Sequence, residues 1–532
     1  MVNDTIATAR VRVESGELDG VVDPGTGVRR FLGVPYAAAP VGPLRWKPPQ
    51  PAEPWEGVRS AHAYGPSAMQ GPPAEGSLYY GGEREFSEDC LNLNVFTGAE
   101  GDTGRPIVVW LHFGAYQFGS ASNPFYEGSA LAAAGLTVVS VNHRLGRFGF
   151  LAHPELSAES GYGGSGNYGL MDQIAALEWV QRNIAAFGGD PANVTLFGVS
   201  AGGNSVHNLR SSPLARGLFA KAIAQSAPGV APALDGFGHP ANASTLAAGE
   251  QAGSELLSLI GVDSIDELRS LPAESILEPQ LPRTGGPWAF DLIPGAAISL
   301  HVFDSGYPVI DGHVLPATPL EAYADGSAID VPFIAGNAGN EASGLPYLPT
   351  LAAYQDYVAS EFGDDAAEVL RLYPADDDGS AQAASWQLVA DQIFVWSNWT
   401  AARLQSAVGE SPVWHYRFLR APSIPDAAGV IEGSYAGAFH GADVPYIFGT
   451  LDSRDWGWTD EDRALSEQIQ RSWVAFARTG DPTDGGAIEW PEFDPSRPTT
   501  RVWDVPSRVA DVSDADRMAF WDRRNGATEL LA

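Results

Sequence analysis

Short apolar runs of strand length recur through the first half of the chain, and longer helical stretches separate them. Aliphatic and β-branched residues fill these runs, which is typical of strands buried on both faces of a sheet. The predicted strands cover residues 106–111, 136–141, 194–197 and 222–225, and residues 170–184 form a predicted helix. This alternation predicts an α/β fold in which a large, mostly parallel central sheet carries helices on both faces.

The second half of the chain adds predicted strands at residues 331–335 and 413–419. Helical and irregular segments fill residues 232–332 and 345–405. Insertions that follow strands of such a sheet normally lie above its carboxyl edge, where they wall in a site. We therefore expect a single domain over residues 1–532, with helical insertions at about 232–332 and 345–405 that wall in this site.

Composition supports a large globular domain. The 532 residues are 44% apolar and 18% charged, so a sizeable core is possible and disorder is not expected. No run of about 18 apolar residues is present, and the N-terminus lacks a basic segment followed by an apolar one. These features predict a cytoplasmic protein without a membrane span.

The net charge is −34, which argues against binding to nucleic acids or anionic membranes. No nucleic-acid or membrane partner is therefore expected. Cys90 is the only cysteine, so no disulfide can form within the chain. We interpret Cys90 as a small buried hydrophobic residue rather than a reactive thiol.

The most informative motif is Gly198-Val199-Ser200-Ala201-Gly202. It follows the predicted strand at 194–197 and leads into a run of small residues with helical character. A strand, a tight turn and a helix around G-x-S-x-G predict a nucleophile elbow, which presents the serine hydroxyl above the sheet. The glycines are needed because side chains two residues either side of Ser200 would collide.

An activated serine needs a base, and in hydrolases with this elbow the acid and then the histidine follow it in the chain. Beyond the neighbouring His207, the later histidines are His239, His301, His313, His415 and His440. His440 is favoured because it lies in a loop of small residues, 437–443. His313 in a turn and His415 in a predicted strand are interpreted as structural, and His239 and His301 have no supporting pattern.

Glu341 is the favoured acid because it lies in the loop after the buried strand at 331–335, where catalytic groups of open α/β sheets occur. Many other carboxylates lie between residues 200 and 440, so spacing alone does not select it. The strand at 107–111 runs into the loop 112–116. Backbone N–H groups of that loop, with that of Ala201, form a candidate oxyanion hole.

Several long motifs in order resemble the type B carboxylesterase and cholinesterase-like family of α/β hydrolases. The segment FGGDPANVTLFGVSAGG at 187–203 is similar to the serine signature of that family, and EDCLNLNV at 88–95 is similar to its second signature. Further matching motifs are FLGVPYA at 31–37, NHRLG at 142–146 and GNYGLMDQ at 166–173. The resemblance covers nearly the whole chain and extends to the bacterial para-nitrobenzyl-esterase-like members.

The resemblance implies an α/β-hydrolase fold with Ser200 as nucleophile, Glu341 as acid and His440 as base. It further implies that the N–H groups of Gly114, Ala115 and Ala201 form the oxyanion hole.

The resemblance also implies supporting residues. A serine in the position of Ser226 supports the histidine and the acid from behind. The pairs Arg45–Glu88 and Arg144–Asp172 resemble structural ion pairs of the family.

Three departures from the family bear on the predicted site. Phe113 replaces the first glycine of the oxyanion loop, and a phenylalanine disfavours positive φ more strongly than glycine does. Val199 replaces a glutamate that many relatives carry. Tyr80 falls where cholinesterases carry a tryptophan, without the disulfide that frames it, so choline esters are not favoured.

The predicted function is two-step hydrolysis of small to medium apolar carboxylic esters by a serine hydrolase without a metal or organic cofactor. Four aromatic residues are expected near the substrate: Phe113, Tyr116, Phe118 and Tyr80. Amide or carbamate hydrolysis by the same triad remains an alternative. A non-catalytic binding relative is less favoured because all three triad residues are present. The protein is expected to be a monomer or a homodimer.

Overall fold

The structure is a computed structural model that describes residues 7–71, 78–82, 85–233, 243–277, 306–343, 348–424, 437–512 and 514–530. His239 and His301 lie outside these described residues. Among the described residues, no helix is long and apolar enough to cross a membrane.

The central feature is a 13-stranded sheet, which two short pairs of strands accompany. In chain order the strands are β1 (Thr8–Val13), β2 (Gly16–Val22), β3 (Arg29–Pro35), β4 (Val58–Ser60), β5 (Ser67–Ala68), β6 (Phe86–Ser87), β7 (Asn92–Thr97), β8 (Arg105–Leu111), β9 (Thr137–Val141), β10 (Gly189–Val199), β11 (Lys221–Gln225), β12 (Ser244–Thr245), β13 (Val309–Ile310), β14 (Phe333–Ala338), β15 (Val413–Phe418), β16 (Thr499–Trp503) and β17 (Arg508–Asp511).

The order across the main sheet is β1-β2-β3-β7-β9-β8-β10-β11-β14-β15-β16-β17, with β4 paired to β2. Pairing is parallel from β9 through β16, and the strands at the two ends pair antiparallel, except that β4 pairs parallel to β2. The predicted mostly parallel sheet is confirmed. β10 is longer than predicted, and β14 begins two residues later than predicted and extends to Ala338.

Helices cover both faces of the sheet. In chain order they are α1 (Ser129–Ala133), α2 (Gly146–Phe150), α3 (Pro154–Glu159), α4 (Tyr168–Asn183), α5 (Ala201–Ser211), α6 (Leu246–Ile260), α7 (Ile265–Ser270), α8 (Ala273–Leu277), α9 (Pro319–Ala324), α10 (Leu351–Phe362), α11 (Ala366–Leu372), α12 (Asp378–Ala390), α13 (Trp396–Val408), α14 (Val444–Phe448), α15 (Asp460–Thr479) and α16 (Ala515–Arg524). A π-helical turn, Asp391–Val395, joins α12 to α13.

Strand β8 shows why the central strands of the sheet contain several consecutive apolar residues. Ile107, Val109 and Leu111 belong to one core cluster, while Val108 and Trp110 belong to another. Successive side chains of a strand point to opposite faces, so both faces of the sheet are buried. α4 and α5 pack on β10, and α15 packs on both β8 and β10.

The parallel strands bring several loops to one edge of the sheet, because their carboxyl ends all point the same way. The loops after β8, β10, β11 and β14 carry the candidate residues of the oxyanion loop, Ser200, Ser226 and Glu341. The segment with His440 joins them through a parallel bridge between Asn340 and Phe439. This edge is therefore where the candidate site lies.

Candidate active site

Ser200 occupies a strained turn between β10 and α5. Its φ is 56° and its ψ is −124°, a conformation that residues with a side chain rarely adopt. A Cβ on Gly198 would lie 2.3 Å from the backbone of Gly202, and a Cβ on Gly202 would lie 2.0 Å from the carbonyl oxygen of Leu111. The glycines of the motif are therefore required sterically, as a nucleophile elbow demands.

Glu341 and His440 form a direct pair. The Nδ1 atom of His440 contacts Oε2 of Glu341, and the Glu341 side chain is fully buried. The other carboxylate oxygen, Oε1, accepts the backbone N–H of Ala338 at 2.7 Å and the side-chain amide of Asn337 at 3.3 Å. Both oxygens of the acid are thus held, and the carboxylate fixes the orientation of the imidazole ring.

The Nε2 atom of His440, on the opposite side of the ring, is buried and has no hydrogen-bond partner in the described part of the chain. Ser200 itself is half-buried. Because Nδ1 is bonded to the Glu341 carboxylate and Nε2 has no partner, Nε2 is the ring nitrogen that is available to accept a proton. Hydrogen bonds between a catalytic serine and histidine are often long before substrate binds.

The N–H groups of Gly114, Ala115 and Ala201 make no hydrogen bond to any other described residue. Backbone donors in buried places are normally paired, so these unpaired N–H groups are candidates for binding an acceptor. The close approach of Gly202 to Leu111 holds the start of α5 against the end of β8. The three donors therefore belong to two segments in direct contact.

Backbone hydrogen bonds hold the oxyanion loop, both within the loop region and to Gly146. The carbonyl of Gly114 accepts the N–H groups of Gln117 at 2.8 Å and Phe118 at 3.0 Å. In a planar trans peptide the N–H points away from the carbonyl, so these bonds direct the Ala115 N–H to the opposite side. The carbonyl of Tyr116 accepts the N–H of Gly146 at 2.6 Å.

Phe113 does not have a positive φ, which is the backbone conformation that a phenylalanine disfavours more than a glycine does. Positive φ angles occur instead at Gly114 (122°), Ala115 (52°) and Tyr116 (59°). The ring of Phe113 is buried and lies edge-on to Tyr79 and Tyr126, with centroids 5.7 Å and 5.6 Å away. The expected conflict between Phe113 and a left-handed backbone is therefore absent, and the strain lies at Ala115 and Tyr116.

The four predicted pocket residues have different surroundings. Phe118 is buried with Phe113 in one core cluster. Tyr116 is buried in the other, and its hydroxyl donates to Asn204 at 3.1 Å. Tyr80 is half-buried, and its carbonyl accepts a hydrogen bond from Arg454. Contact of these side chains with substrate stays a prediction.

Ser226 lies at the end of β11, with a φ of 47° and an N–H that donates to the Gly336 carbonyl at 2.7 Å. Its hydroxyl is buried and has no hydrogen-bond partner within the described residues. The supporting role expected for Ser226 therefore stays a prediction.

Two aromatic residues of the site were not identified from the sequence. The Tyr79 hydroxyl donates to the His440 carbonyl at 3.1 Å, and the Tyr79 ring packs against Phe113 and Phe439. Phe394, in the π-helical turn, lies against the His440 ring at a centroid distance of 4.4 Å. The wall beside the candidate base is thus apolar and aromatic.

Asp443 is a further carboxyl close to the Glu341–His440 pair. Asp443 is buried, and its Oδ2 accepts the Tyr416 hydroxyl at 2.9 Å. Burial, together with the nearby Glu341, raises the pKa of Asp443 to about 6, although the hydrogen bond from Tyr416 acts in the opposite direction. The sequence analysis did not identify Asp443; its position three residues after His440, just before α14, is the signal that could have indicated it.

The two predicted ion pairs are present. Arg45 donates to both carboxylate oxygens of Glu88 at 2.6 Å, and Arg144 donates to Asp172 at 2.7 and 2.8 Å. Cys90 is buried, as expected. No cluster of three or more histidine, cysteine, aspartate or glutamate side chains suited to a metal ion occurs in the described ranges.

Comparison with known proteins adds independent findings. The model of the carboxylesterase family matches residues 7–521. The chain is 37% identical to the fumonisin B1 esterase of Sphingopyxis macrogoltabida over 90% of this chain and 84% of that protein. It is 36% identical to the para-nitrobenzyl esterase of Bacillus subtilis over 95% of this chain and 97% of that protein.

Solved structures of PNB esterases have the same fold as this chain. A structure of a PNB esterase superposes with a TM-score of 0.78 at 32% identity and covers 96% of this chain and 99% of its own. A thermophilic PNB esterase superposes with a TM-score of 0.79 at 31% identity, with the same coverage of both chains.

Proposed function

The chain belongs to the carboxylesterase family and is a carboxylic ester hydrolase with the α/β-hydrolase fold, and we propose that it hydrolyses small to medium apolar esters through a Ser200–His440–Glu341 triad. The observation that carries this proposal is the pairing of Glu341 with Nδ1 of His440, which leaves Nε2 unpartnered at the edge where the elbow presents Ser200.

In the proposed first step, Nε2 of His440 takes the proton of the Ser200 hydroxyl while the serine oxygen attacks the ester carbonyl carbon. The carbonyl oxygen becomes an oxyanion and accepts hydrogen bonds from the N–H groups of Gly114, Ala115 and Ala201. The carbon–oxygen bond to the alcohol then breaks. The alcohol leaves with the proton held by His440, and an acyl-serine remains.

In the second step a water molecule replaces the alcohol. His440 takes a proton from the water, which attacks the acyl carbon, and collapse of the second oxyanion returns the proton to Ser200 and releases the acid. Glu341 holds the ring in the Nδ1–H tautomer and stabilises its cation in both steps. Each oxyanion donor contributes a factor of about 10²–10³ in rate.

The preference for apolar esters follows from the residues beside the triad. Phe394 covers the His440 ring, Tyr79 links the His440 loop to Phe113, and Ile393 and Ala342 belong to a small apolar cluster with Phe394. Such surfaces gain free energy when they bury hydrocarbon, at about 25 cal/mol per Å².

The proposal is tested with Ser200→Ala, which removes the nucleophile but keeps a small side chain in the turn. We expect no turnover of p-nitrophenyl butyrate above the enzyme-free rate and no labelling by a fluorophosphonate probe. Ser211→Ala is the matched control, because Ser211 lies on the same helix and its hydroxyl donates only to the His207 carbonyl at 2.9 Å. Turnover retained by Ser200→Ala would contradict the proposed nucleophile.

Substrate scope is tested separately. A matched set of phenyl esters, anilides and phenyl carbamates with the same acyl group distinguishes ester from amide or carbamate hydrolysis. We expect kcat/KM to be highest for the esters and to rise with acyl length from acetate to butyrate. An anilide turned over faster than its ester would replace the proposed reaction with amide hydrolysis.

A further inference from the structure

His112 is the last residue before the oxyanion loop, and its imidazole bonds to the main chain of that loop. Its side chain is buried, and Nδ1 lies 2.8 Å from the carbonyl oxygen of Phe113. The ring stacks on His143, with 5.0 Å between centroids and 14° between planes. The Nδ1 atom of His143 bonds instead to the Arg144 carbonyl at 3.0 Å, outside the loop.

The contact requires a proton on Nδ1 of His112. A carbonyl oxygen can only accept a hydrogen bond, so Nδ1 of His112 must donate. Burial and, to a smaller extent, the adjacent His143 lower the pKa of His112 to about 3, although the bond to Phe113 acts in the opposite direction. At neutral pH the ring is therefore an uncharged and permanent donor.

The bond to Phe113 determines the direction of a neighbouring donor. The Phe113 carbonyl and the Gly114 N–H are the two ends of one peptide group. Because that group is planar and trans, its N–H points away from its carbonyl. Because His112 holds the Phe113 carbonyl, the Gly114 N–H points to the opposite side of the peptide group, where it has no hydrogen-bond partner among the described residues.

The imidazole of His112 fits behind the loop only because residue 119, which lies against it, is a glycine. A Cβ on Gly119 would lie 2.5 Å from Nδ1 of His112 and 2.6 Å from the Phe113 oxygen. Gln70 holds Gly119 from both sides, since Gly119 N–H donates to its Oε1 at 2.8 Å and its Nε2 donates to the Gly119 carbonyl at 2.9 Å. The imidazole, the glycine and the glutamine form one buried support behind the loop.

We propose that His112 is a positioning residue for the oxyanion hole, which it serves by holding the Phe113–Gly114 peptide so that the Gly114 N–H faces the developing oxyanion. This inference rests on the proposed function. It adds a role for a side chain that does not itself touch the substrate.

The test compares His112→Asn with His112→Leu, two side chains of similar size and branching. Asparagine places an amide N–H close to the position of Nδ1, whereas leucine places a methyl group there. We expect His112→Leu to lose about 10- to 100-fold in kcat with KM changed less than about twofold, since only the transition state carries the oxyanion. His112→Asn should recover most of the loss.

A second readout is affinity for a trifluoromethyl ketone, which forms an oxyanion adduct with the serine. Its Kd should rise in His112→Leu by the same factor as kcat/KM falls, and His112→Asn should restore it. His143→Leu is the control, because it removes the stacking partner without touching the loop. It should lower the thermal midpoint and leave kcat within about twofold.

The inference is overturned if His112→Leu keeps the kcat of the parent enzyme, if Asn and Leu lower kcat equally, or if His143→Leu matches His112→Leu. In each case Ser200→Ala still reports on the triad. Loss of activity in Ser200→Ala with an unchanged His112→Leu rejects the positioning role alone, whereas activity in Ser200→Ala rejects the proposed function.

Discussion

The Phe394 ring lies against the imidazole of His440, with 4.4 Å between the centroids and 39° between the planes. Phe394 is part of the π-helical turn Asp391–Val395, which interrupts the helical run between α12 and α13. Such turns carry an additional residue and are frequent at functional sites. The turn places an aromatic ring against the candidate base, on a segment distant from it in the chain.

Replacement of Phe394 by leucine should lower kcat about tenfold, because the imidazole gains freedom to tilt away from the serine. The substitution roughly conserves volume, so we expect a stability loss below about 1.5 kcal/mol. Steady-state kinetics with p-nitrophenyl butyrate and a thermal melt check both. Phe493→Leu is the control, since Phe493 lies 6.0 Å from the structural His415. Equal losses of kcat in both variants would contradict this role of Phe394.

Tyr79→Phe should lower kcat about two- to fivefold and cost about 1 kcal/mol of stability, the typical net value of one hydrogen bond. The variant keeps the ring against Phe113 but removes the bond to the His440 carbonyl, which loosens the loop that carries the base. Tyr80→Phe, at the position favoured by the sequence, provides the comparison in the same assay. A larger loss of kcat in Tyr80→Phe than in Tyr79→Phe would contradict this assignment.

The parallel part of the sheet could be predicted because both of its faces are buried, so most residues at the centres of its strands, such as 107–111 of β8 and 194–197 of β10, are apolar. The N-terminal strands were not predicted. In β1, exposed and buried residues alternate, so polar side chains interrupt the apolar run. The ends of β10 and β14 differ from the prediction by two to five residues, since they depend on neighbouring strands rather than on local composition.

The candidate triad could be proposed from the sequence because Ser200, Glu341 and His440 each lie in a recognisable loop after or near a strand. Tyr79 and Phe394 could not, because their roles depend on contacts across long stretches of chain. The Tyr79–His440 bond joins residues 361 positions apart. The wall of the site is assembled by tertiary packing, which leaves no local pattern.

Arg144→Met should destabilise the protein by about 3–5 kcal/mol, because it leaves the fully buried Asp172 carboxylate without its partner. Burial raises the pKa of Asp172 and the arginine opposes that shift, so the pair depends on both members. The double variant Arg144→Met with Asp172→Leu should lose less than the single variant in a thermal melt. Arg182→Met, which breaks an exposed pair with Glu14, should leave the midpoint unchanged. A double variant less stable than Arg144→Met would contradict this argument.

Asp443→Asn should stabilise the protein at pH 8 and lose this advantage in acid. Burial raises the pKa of Asp443 from 3.8 to about 6 in the folded state, so folding favours the protonated carboxyl. Its contribution to stability is therefore fully present below pH 3.8, falls as the pH rises toward 6, and is lost above that value. The amide cannot ionise and still offers an oxygen to the Tyr416 hydroxyl.

A shift of this size corresponds to about 3 kcal/mol at 1.36 kcal/mol per pKa unit. For a chain of this length it amounts to about 3 °C in the thermal midpoint. We therefore expect the midpoint of Asp443→Asn to exceed that of the parent by about 3 °C at pH 8, by about half as much at pH 5, and by almost nothing below pH 4. Thermal melts across this range provide the measurement. A difference that stays constant with pH would mean that Asp443 does not titrate with a raised pKa, and one that grows in acid would reverse the sign of the argument.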